Sequence, residues 1–303
     1  MPEVRDHTGE IAGPSGTEER LPIFWRSAER EGQRESDAGA AGAGTAGTGT
    51  GASGAGAVPL YLHGVPTNSD DWVEFLARSG GLAPDLPGFG RSGKPGYLSF
   101  TIDEYADFVE RFLDDRGLER VSLVMHDWGA VGLAFAQRRP QRVGRLVVIN
   151  AVPFLPGYRW HRTARIWRTS LLGELSMGMI SRRTLRLLSR EAGARPGPLP
   201  EHLLDTVLEH FDQGTQRAIL RLYRSAPPAV LEAAGARLGE LRMPALVVWG
   251  MRDPYIPGRF ARAYADALGG AELLELDDAG HWPWLDRPDV IDRVVEFLAA
   301  APR

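Results

Sequence analysis

The sequence predicts an α/β fold, in which a mostly parallel β-sheet carries helices on both faces and a helical segment is inserted between two strands. Short apolar runs of strand type alternate along the chain with amphipathic helical patterns, which is the element order of a parallel sheet. Most of the runs are apolar at nearly every position, as expected for strands that are covered on both faces. Polar residues directly follow several runs, at the carboxyl edge where open α/β sheets bind ligands.

The overall composition is ordinary for a globular protein. The 303 residues include 43% apolar and 24% charged side chains, enough for one large domain or two modest ones. A net charge of −4 predicts no nucleic-acid partner, and a cysteine count of 0 excludes disulfides and thiol catalysis. No apolar run approaches the ~18–20 residues that span a bilayer, and the N-terminal region lacks the apolar core of a secretory signal. We therefore expect a cytoplasmic protein with no membrane partner.

The N-terminal segment, residues 1–37, contains the first predicted strand at residues 21–27. Residues 38–57 consist only of Gly, Ala, Ser and Thr, a composition that cannot bury enough surface to offset the entropy of ordering. We expect this tract to be a disordered loop, inserted in a hairpin between strand 21–27 and the strand Val58–Leu62, because loop length costs little stability. No function is assigned to it.

The α/β core is predicted to comprise residues 58–152 and 238–303, interrupted by a helical lid at residues 153–237, where strand character is lost. Within the lid, nine arginines and only two acids lie between Tyr158 and Arg195. The simplest interpretation is a solvent-facing arginine stripe on amphipathic helices, with anion binding as the alternative. The predicted core strands are Val58–Leu62, Val121–Met125, Arg145–Ile149, Ala245–Trp249 and Glu272–Leu276.

Three polar residues that follow core strands, Asp127, Asp253 and His281, have the chain order of a nucleophile, an acid and a histidine. The nucleophile position lies in an abrupt strand-to-helix turn and holds a carboxylate in place of a serine. A carboxylate is already ionised and can displace a leaving group from saturated carbon, which forms an alkyl ester. A histidine whose tautomer is fixed by a second carboxylate can then activate water against that ester. The sequence therefore predicts a two-step hydrolysis through an ester of Asp127.

Hydrolysis of such an ester requires N–H donors for the oxyanion that forms. The backbone N–H of Trp128, which follows the nucleophile, is one expected donor, and that of Val65 in the loop at residues 63–66 is the other. Gly64 and Gly129 permit close approach of the backbone at these two places. Together these residues predict an oxyanion hole beside Asp127.

Five motifs occur in the order HGVPTNSDDW, PDLPGFGRSGKP, VMHDWGAVGLAF, WGMRDPYIP and GHWPWLDRPD. Together they resemble the α/β-hydrolase superfamily over about residues 58–152 and 243–300, with the lid only loosely matched. The His-Asp-Trp-Gly elbow resembles the branch with an aspartate nucleophile, the epoxide hydrolases and haloalkane dehalogenases. The resemblance implies the α/β-hydrolase fold, no cofactor, and a small apolar electrophilic substrate that reacts with water.

Two activities stay open, and they differ in how the leaving group is stabilised. An epoxide hydrolase of this kind uses lid tyrosines to protonate the opening epoxide oxygen, and Tyr223, with Tyr158 as a second, corresponds to that role. A haloalkane dehalogenase binds the halide through N–H donors, of which Trp128 would be one; the other is often an asparagine where this chain has Val65. Met125 and the HGVPT run are more typical of dehalogenases. We favour the epoxide hydrolase, with the dehalogenase as the alternative.

Other interpretations of the same residues are also open. Asp127 by itself could be a helix N-cap, and Asn150 follows a strand where some dehalogenases carry the acid. His63 and His126 are expected to support their turns by hydrogen bonding. The two histidines of the lid's helical pattern lie two turns apart, not at the one-turn spacing of paired ligands, so we predict no metal site. A non-catalytic ligand-binding scaffold is the competing class of function, and a serine esterase is opposed by the missing elbow serine.

Overall fold

The computed structural model describes residues 3–14, 19–29 and 57–301. Residues 30–56 contain all but the last residue of the tract rich in Gly and Ala, so the expected disorder of that tract concerns residues outside the described ones.

One eight-stranded sheet forms the centre of the described chain. Its strands are β1 (Arg5–Ala12), β2 (Arg20–Ala28), β3 (Val58–Leu62), β4 (Gly81–Pro84), β5 (Val121–Asp127), β6 (Val143–Ala151), β7 (Ala245–Gly250) and β8 (Glu272–Leu276). They are hydrogen-bonded in the order β1-β2-β4-β3-β5-β6-β7-β8. The pairs β1–β2 and β2–β4 are antiparallel, and every pair from β4 to β8 is parallel. The predicted mostly parallel sheet is confirmed.

The N-terminal edge of the sheet differs from the prediction in two respects. β1 was missed because it is a largely exposed edge strand with only Ile11 fully buried near its end, so it lacks an apolar run. The expected hairpin between strand 21–27 and Val58–Leu62 is wrong, since β2 pairs with β1 and β4. Both edges of β3 are occupied by the parallel partners β4 and β5, which leaves no edge for β2.

The described residues form helices α1 (Val73–Ser79), α2 (Ile102–Asp115), α3 (Val131–Arg138), α4 (Arg162–Arg168), α5 (Leu172–Gly178), α6 (Arg182–Leu188), α7 (Glu201–Glu209), α8 (Gln213–Ser225), α9 (Pro228–Ala234), α10 (Arg259–Ala267), α11 (Pro283–Asp286) and α12 (Asp289–Ala299). Helices α2, α3 and α10 contribute to one apolar core and α1, α11 and α12 to another, so both faces of the sheet are covered. Every residue of β5 is buried, which explains its continuous apolar run.

Helix α2 shows how the sequence pattern specifies an element. Thr101 accepts a hydrogen bond from the Glu104 amide at 3.2 Å and so caps the first turn. Asp103 and Glu104 place negative charge near the positive end of the helix dipole. Its apolar positions, including Phe108 and Phe112, are buried against the sheet-side core.

Helices α4 to α9 all lie between β6 and β7 in the chain. This segment contacts the loop before α2, where Lys94 pairs with Asp212 at 2.8 Å and Arg221 donates to the Leu98 carbonyl at 2.6 Å. Its first residues are attached to α10: the Phe154 amide donates to the Tyr264 hydroxyl at 2.8 Å. No helix among the described residues combines the length and apolar character needed to cross a membrane.

Candidate active site

Asp127 is the last residue of β5 and forms the tip of a sharp turn into a short 3₁₀ segment and α3. Its φ of 49° and ψ of −117° lie outside the regions that side-chain-bearing residues normally adopt. The Val152 amide donates to the Asp127 carbonyl at 3.0 Å and ties this turn to the end of β6. The carboxylate is therefore presented at the carboxyl edge of the sheet, and the residue is only 5% exposed.

Two glycines make room for this turn. A Cβ on Gly64 would lie 2.5 Å from the Cβ of Asp127 and 2.8 Å from its Oδ1. A Cβ on Gly129 would overlap the carbonyl oxygen of Leu62 in β3. The loop after β3 and the turn after β5 can approach each other only because neither position carries a side chain.

The amides predicted to form the oxyanion hole face the carboxylate itself. The Val65 amide donates to Asp127 Oδ1 at 2.9 Å, and the Trp128 amide also hydrogen-bonds to the carboxylate. Burial raises the pKa of Asp127, while the nearby His281 and these two amides oppose that rise by stabilising the charged form. Oδ2 faces His281, whose Nε2 is 3.8 Å away.

His281 lies between the two carboxylates that the sequence predicts for the site, those of Asp127 and Asp253. Its Nδ1 donates to Asp253 Oδ2 at 2.7 Å, which leaves Nε2 turned towards Asp127. Burial disfavours the charged imidazolium, but Asp253, then Asp127 and Asp71, outweigh it and raise the pKa of His281. The structure thus brings Asp127, Asp253 and His281 together in the geometry of a nucleophile, a base and the carboxylate that orients the base.

Asp253 is held by three donors besides His281. Its Oδ1 accepts from the amides of Tyr255 at 2.7 Å and Ile256 at 3.0 Å, and its Oδ2 accepts from Asn150 Nδ2 at 2.8 Å. Asn150, the rival position for the acid, is therefore a neighbour of Asp253 that donates to it. An amide suits this place because a second carboxylate there would repel Asp253.

The two histidines of the turns beside the site, His126 and His63, are held in neutral forms. His126 Nε2 donates to the carbonyl of His281 at 2.8 Å, and burial lowers the pKa of His126 well below its usual value. His63 Nδ1 donates to the Gly64 carbonyl at 2.7 Å while its Nε2 accepts from the Leu86 amide at 2.8 Å. Both rings support loops of the site, as expected from the sequence, and both keep their N–H groups engaged with backbone.

An aromatic wall from the segment between β6 and β7 faces the turn of Asp127. Trp160 stacks on the Trp128 ring with centroids 5.5 Å apart, and Tyr223 meets Trp128 edge-on at 5.3 Å. Tyr158 packs edge-on against Trp160 at 5.1 Å. Tyr255 closes the other side, its ring 5.0 Å from that of His281. The space in front of Asp127 is therefore bounded by apolar ring surfaces.

The polar atoms of this wall differ in their hydrogen bonding. Burial and the charge of Asp127 raise the pKa of both Tyr158 and Tyr223, so each phenol stays protonated. The Tyr158 hydroxyl donates to the Tyr255 carbonyl over a long 3.4 Å. The Trp160 indole donates to Ala226 at 2.9 Å. The buried Trp128 indole N–H has no partner of good hydrogen-bond geometry among the described residues, but it interacts weakly with the Tyr223 side chain.

Three residues near the site were not singled out from the sequence. Tyr255 could have been found, because it lies two residues after Asp253 in the same motif. His161 packs on Tyr255 at 5.1 Å, and burial lowers its pKa to about 4. Asp71 accepts from the Thr67 hydroxyl at 2.5 Å, and burial raises its pKa to about 7. No local pattern in the sequence marks either His161 or Asp71 as a neighbour of His281.

Comparison with known proteins agrees with this architecture. A model of the alpha/beta hydrolase family matches residues 60–294. A haloalkane dehalogenase of Mycolicibacterium paratuberculosis is 30% identical over 272 residues, which cover 79% of this chain and 82% of the relative. Two solved structures share the fold: a haloalkane dehalogenase of Bradyrhizobium elkani USDA94, with a TM-score of 0.76, 23% identity and 98% of each chain covered, and an epoxide hydrolase without ligand, with a TM-score of 0.75, 20% identity and 98% and 99% covered.

The family match spans most of the chain and includes most of β3 and all of the strands β4 to β8, among them those that position Asp127, Asp253 and His281. The chain is therefore a hydrolase that belongs to the alpha/beta hydrolase family, which includes its relative named haloalkane dehalogenase.

Proposed function

We propose that this protein is an epoxide hydrolase that works through an ester of Asp127. The observation that carries the proposal is the placement of two buried phenols, Tyr158 and Tyr223, on the wall that faces this carboxylate. The segment that supplies them, residues 153–237, is proposed to be the lid of the site. Its aromatic rings fit a small apolar substrate.

In the first step, Asp127 attacks a carbon of the epoxide. Oδ1 is engaged by the Val65 amide, so Oδ2 is the free oxygen and forms the new C–O bond. The bond between that carbon and the epoxide oxygen breaks, and its electron pair goes to the oxygen. A phenol of Tyr223 or Tyr158 gives its proton to this oxygen, which it can do because both phenols remain protonated beside the negative carboxylate.

In the second step, the ester is hydrolysed by water. His281 Nε2 removes a proton from a water that attacks the carboxyl carbon of Asp127, and Asp253 holds the imidazolium that forms. Oδ1 becomes the oxyanion and lies against the Val65 and Trp128 amides. Collapse of this intermediate breaks the bond between the carboxyl carbon of Asp127 and Oδ2, so Oδ2 leaves with the substrate as an alkoxide. The alkoxide takes the proton from His281, the diol is released, and the carboxyl group of Asp127, which now carries an oxygen from water, loses its own proton to solvent. Proton exchange with water restores the tyrosine.

Esterification itself prepares His281 for the second step. The charge of Asp127 is one of the causes that raise the pKa of His281, and that charge disappears when the ester forms. The pKa of His281 then falls, so a larger fraction of the imidazole is neutral and able to accept a proton. The two steps are coupled through one electrostatic contact.

Haloalkane dehalogenase is the second candidate, and one observation favours it. The buried indole N–H of Trp128 has no partner of good hydrogen-bond geometry among the described residues beyond a weak interaction with Tyr223, and it could bind a departing halide. A relative named haloalkane dehalogenase is 30% identical to this chain. Against this, Val65 has no side-chain donor, and the indole of Trp160 is already bonded to Ala226. The epoxide reaction relies on the two buried phenols, of which Tyr158 makes only a long 3.4 Å bond to the Tyr255 carbonyl, and we therefore place it first.

The proposal is tested by trapping the ester. His281→Gln should form the ester but not hydrolyse it, so intact-protein mass spectrometry after incubation with a panel of epoxides should show a covalent adduct on Asp127. The matched control carries Asp127→Asn in addition and should show no adduct. Absence of an adduct with both epoxides and haloalkanes would instead support the non-catalytic scaffold. An adduct with haloalkanes alone, with halide release by the unmutated protein, would assign the second candidate.

The tyrosines are tested separately. If one phenol alone supplies the proton, replacing that tyrosine by Phe should slow ester formation from an epoxide roughly 10²–10⁴-fold, the usual scale of general acid catalysis, and replacing the other should have a smaller effect. If both phenols contribute, only the double variant Tyr158→Phe with Tyr223→Phe should show the full loss. Ester breakdown should be unaffected, because His281 performs it. A double variant that keeps full activity towards epoxides contradicts the proposed role of both phenols.

A further inference from the structure

The outer surface of the segment between β6 and β7 carries an apolar helix face that nothing in the described chain covers. Leu172, Leu175 and Met179 are 54%, 65% and 70% exposed, and their spacing places them on one side of α5. Leu171, just before the helix, is 77% exposed. Met177, on the other side, is buried against the segment's interior. Apolar side chains exposed in such a group mark a contact surface.

The same stretch of chain is strongly basic. Residues 158–195 contain nine arginines, no lysine and two acids, a formal charge of +7 in a protein whose total is −4. Arg182 and Arg186 pair with Glu201 at 3.0 and 3.1 Å. The exposed Arg162 and Arg183 have no carboxylate partner among the described residues. The exposed apolar face of α5 thus lies in a stretch whose positive charge is only partly neutralised by the described carboxylates.

We propose that this surface, the exposed face of α5 with the arginines of residues 158–195, docks on an anionic lipid bilayer. A bilayer of this kind offers both an apolar layer for the side chains of α5 and negative head groups for the guanidinium groups. A second copy of the chain fits less well, because a two-fold contact would place one basic surface against another. This proposal departs from the sequence-based expectation of no membrane partner.

Docking at this surface has a consequence for substrate supply. Tyr158, Trp160 and Tyr223, whose rings pack beside the Asp127 turn, belong to the segment that would rest on the lipid. An apolar epoxide dissolved in the bilayer would then reach Asp127 without crossing much water. This consequence rests on the proposed function, whereas the docking itself does not.

The test is flotation of the purified full chain with vesicles. Vesicles of phosphatidylcholine mixed with phosphatidylglycerol should carry the protein, vesicles of phosphatidylcholine alone should carry much less, and added salt should weaken binding. Leu172→Ser with Leu175→Ser and Met179→Ser should lower binding at least about tenfold, since each removed side chain takes several buried carbons with it. All three side chains are exposed, so this variant should keep its circular dichroism spectrum and melting temperature.

The control for this variant carries Tyr97→Ser and Val230→Ser, which replace side chains that are 42% and 41% exposed outside the basic stretch. It should float like the unmutated chain. Equal binding to both kinds of vesicle, or full binding by the α5 variant, overturns the proposal. Sedimentation velocity without lipid gives the oligomeric state. If the unmutated chain is a dimer and the α5 variant a monomer, the face of α5 contacts a second copy of the chain and the lipid proposal is overturned. None of these measurements depends on turnover, so they remain decisive if the proposed activity fails.

Discussion

At the scale of single residues, the site depends on backbone positions that tolerate no extra atoms. Asp127 occupies a strained φ,ψ region, which costs on the order of 1–3 kcal/mol and persists only where the surroundings impose it. The Val152 amide and the absence of a side chain at Gly64 are two of the features that hold it there. The strained turn places the carboxylate at the carboxyl edge of the sheet, 3.8 Å from His281 Nε2, while the Val65 amide fixes one of its oxygens.

Gly64→Ala is expected to slow ester formation. The new Cβ would lie 2.5 Å from Asp127 Cβ, so either the loop after β3 or the Asp127 turn must move. Either shift misplaces the carboxylate relative to the substrate carbon, and a misplacement of about 1 Å can cost about 10² in rate. Rapid-quench mass spectrometry of the His281→Gln background measures the step. Gly96→Ala, where a Cβ meets nothing within 4 Å, is the control, and equal rates in the two variants would contradict the expectation.

The charge of Asp127 should be visible in the titration of His281. Asp127 is one of the groups that raise the pKa of His281, so Asp127→Asn should lower that pKa in an NMR titration of the imidazole. The sign follows because removing a negative neighbour disfavours the protonated ring. The proposed ester hydrolysis needs neutral His281, so its rate should fall as the pH drops through the pKa of His281 in the esterified enzyme. That pKa should lie below the pKa of His281 in the resting enzyme. An unchanged or higher pKa in Asp127→Asn contradicts the coupling.

At the scale of elements, the strand ends could be predicted from the sequence but their mutual contacts could not. The apolar runs ending at Asp127 and before Asp253, and the order of these residues with His281, indicated a shared carboxyl edge. The hydrogen bond from Asn150 to Asp253 joins residues 103 positions apart, and no local pattern contains it. β1 was found only in the structure for a different reason: it is an exposed strand without an apolar run.

Asn150 therefore provides a test of how the strand ends support the site. Its Oδ1 accepts from the Gly250 amide at 2.8 Å in β7, and its Nδ2 donates to Asp253. Asn150→Ala should leave a buried amide and one carboxylate lone pair unsatisfied, which costs about 1–3 kcal/mol in the free energy of unfolding. Ester breakdown should slow more than ester formation, because His281 loses its fixed orientation. Denaturant unfolding and single-turnover kinetics measure the two effects; a loss confined to stability would limit Asn150 to a structural role.

At the scale of the whole molecule, the two connections between the sheet and the helical segment, one after β6 and one before β7, lie side by side. Their contacts, which involve Val152, Phe154, Gly235 and Tyr264, are called the joint below. Phe154, where the helical segment begins, contacts Gly235, where its last helix ends. The hydroxyl of Tyr264 in α10 holds the connection that follows β6: it donates to the Val152 carbonyl at 2.7 Å and accepts from the Phe154 amide at 2.8 Å. The sequence indicated where the segment begins and ends but not this joint, because it depends on packing between residues about 80 positions apart.

The joint controls how firmly the aromatic wall is held over Asp127, so loosening it should affect both stability and catalysis. A Cβ at Gly235 would overlap the Phe154 carbonyl oxygen, and overpacking of this kind typically costs about 1–3 kcal/mol. Gly235→Ala should lower the melting temperature and speed proteolysis within residues 153–237, because the chain segments around Phe154 and Gly235 must move apart. Ester formation should slow as the phenols lose their position, while the pKa of His281, fixed by Asp253 in the core, should stay unchanged. Gly239→Ala, whose Cβ meets its nearest atom at 3.8 Å, is the matched control. If Gly235→Ala is as stable and as resistant to protease as this control, the joint does not hold the segment on the core.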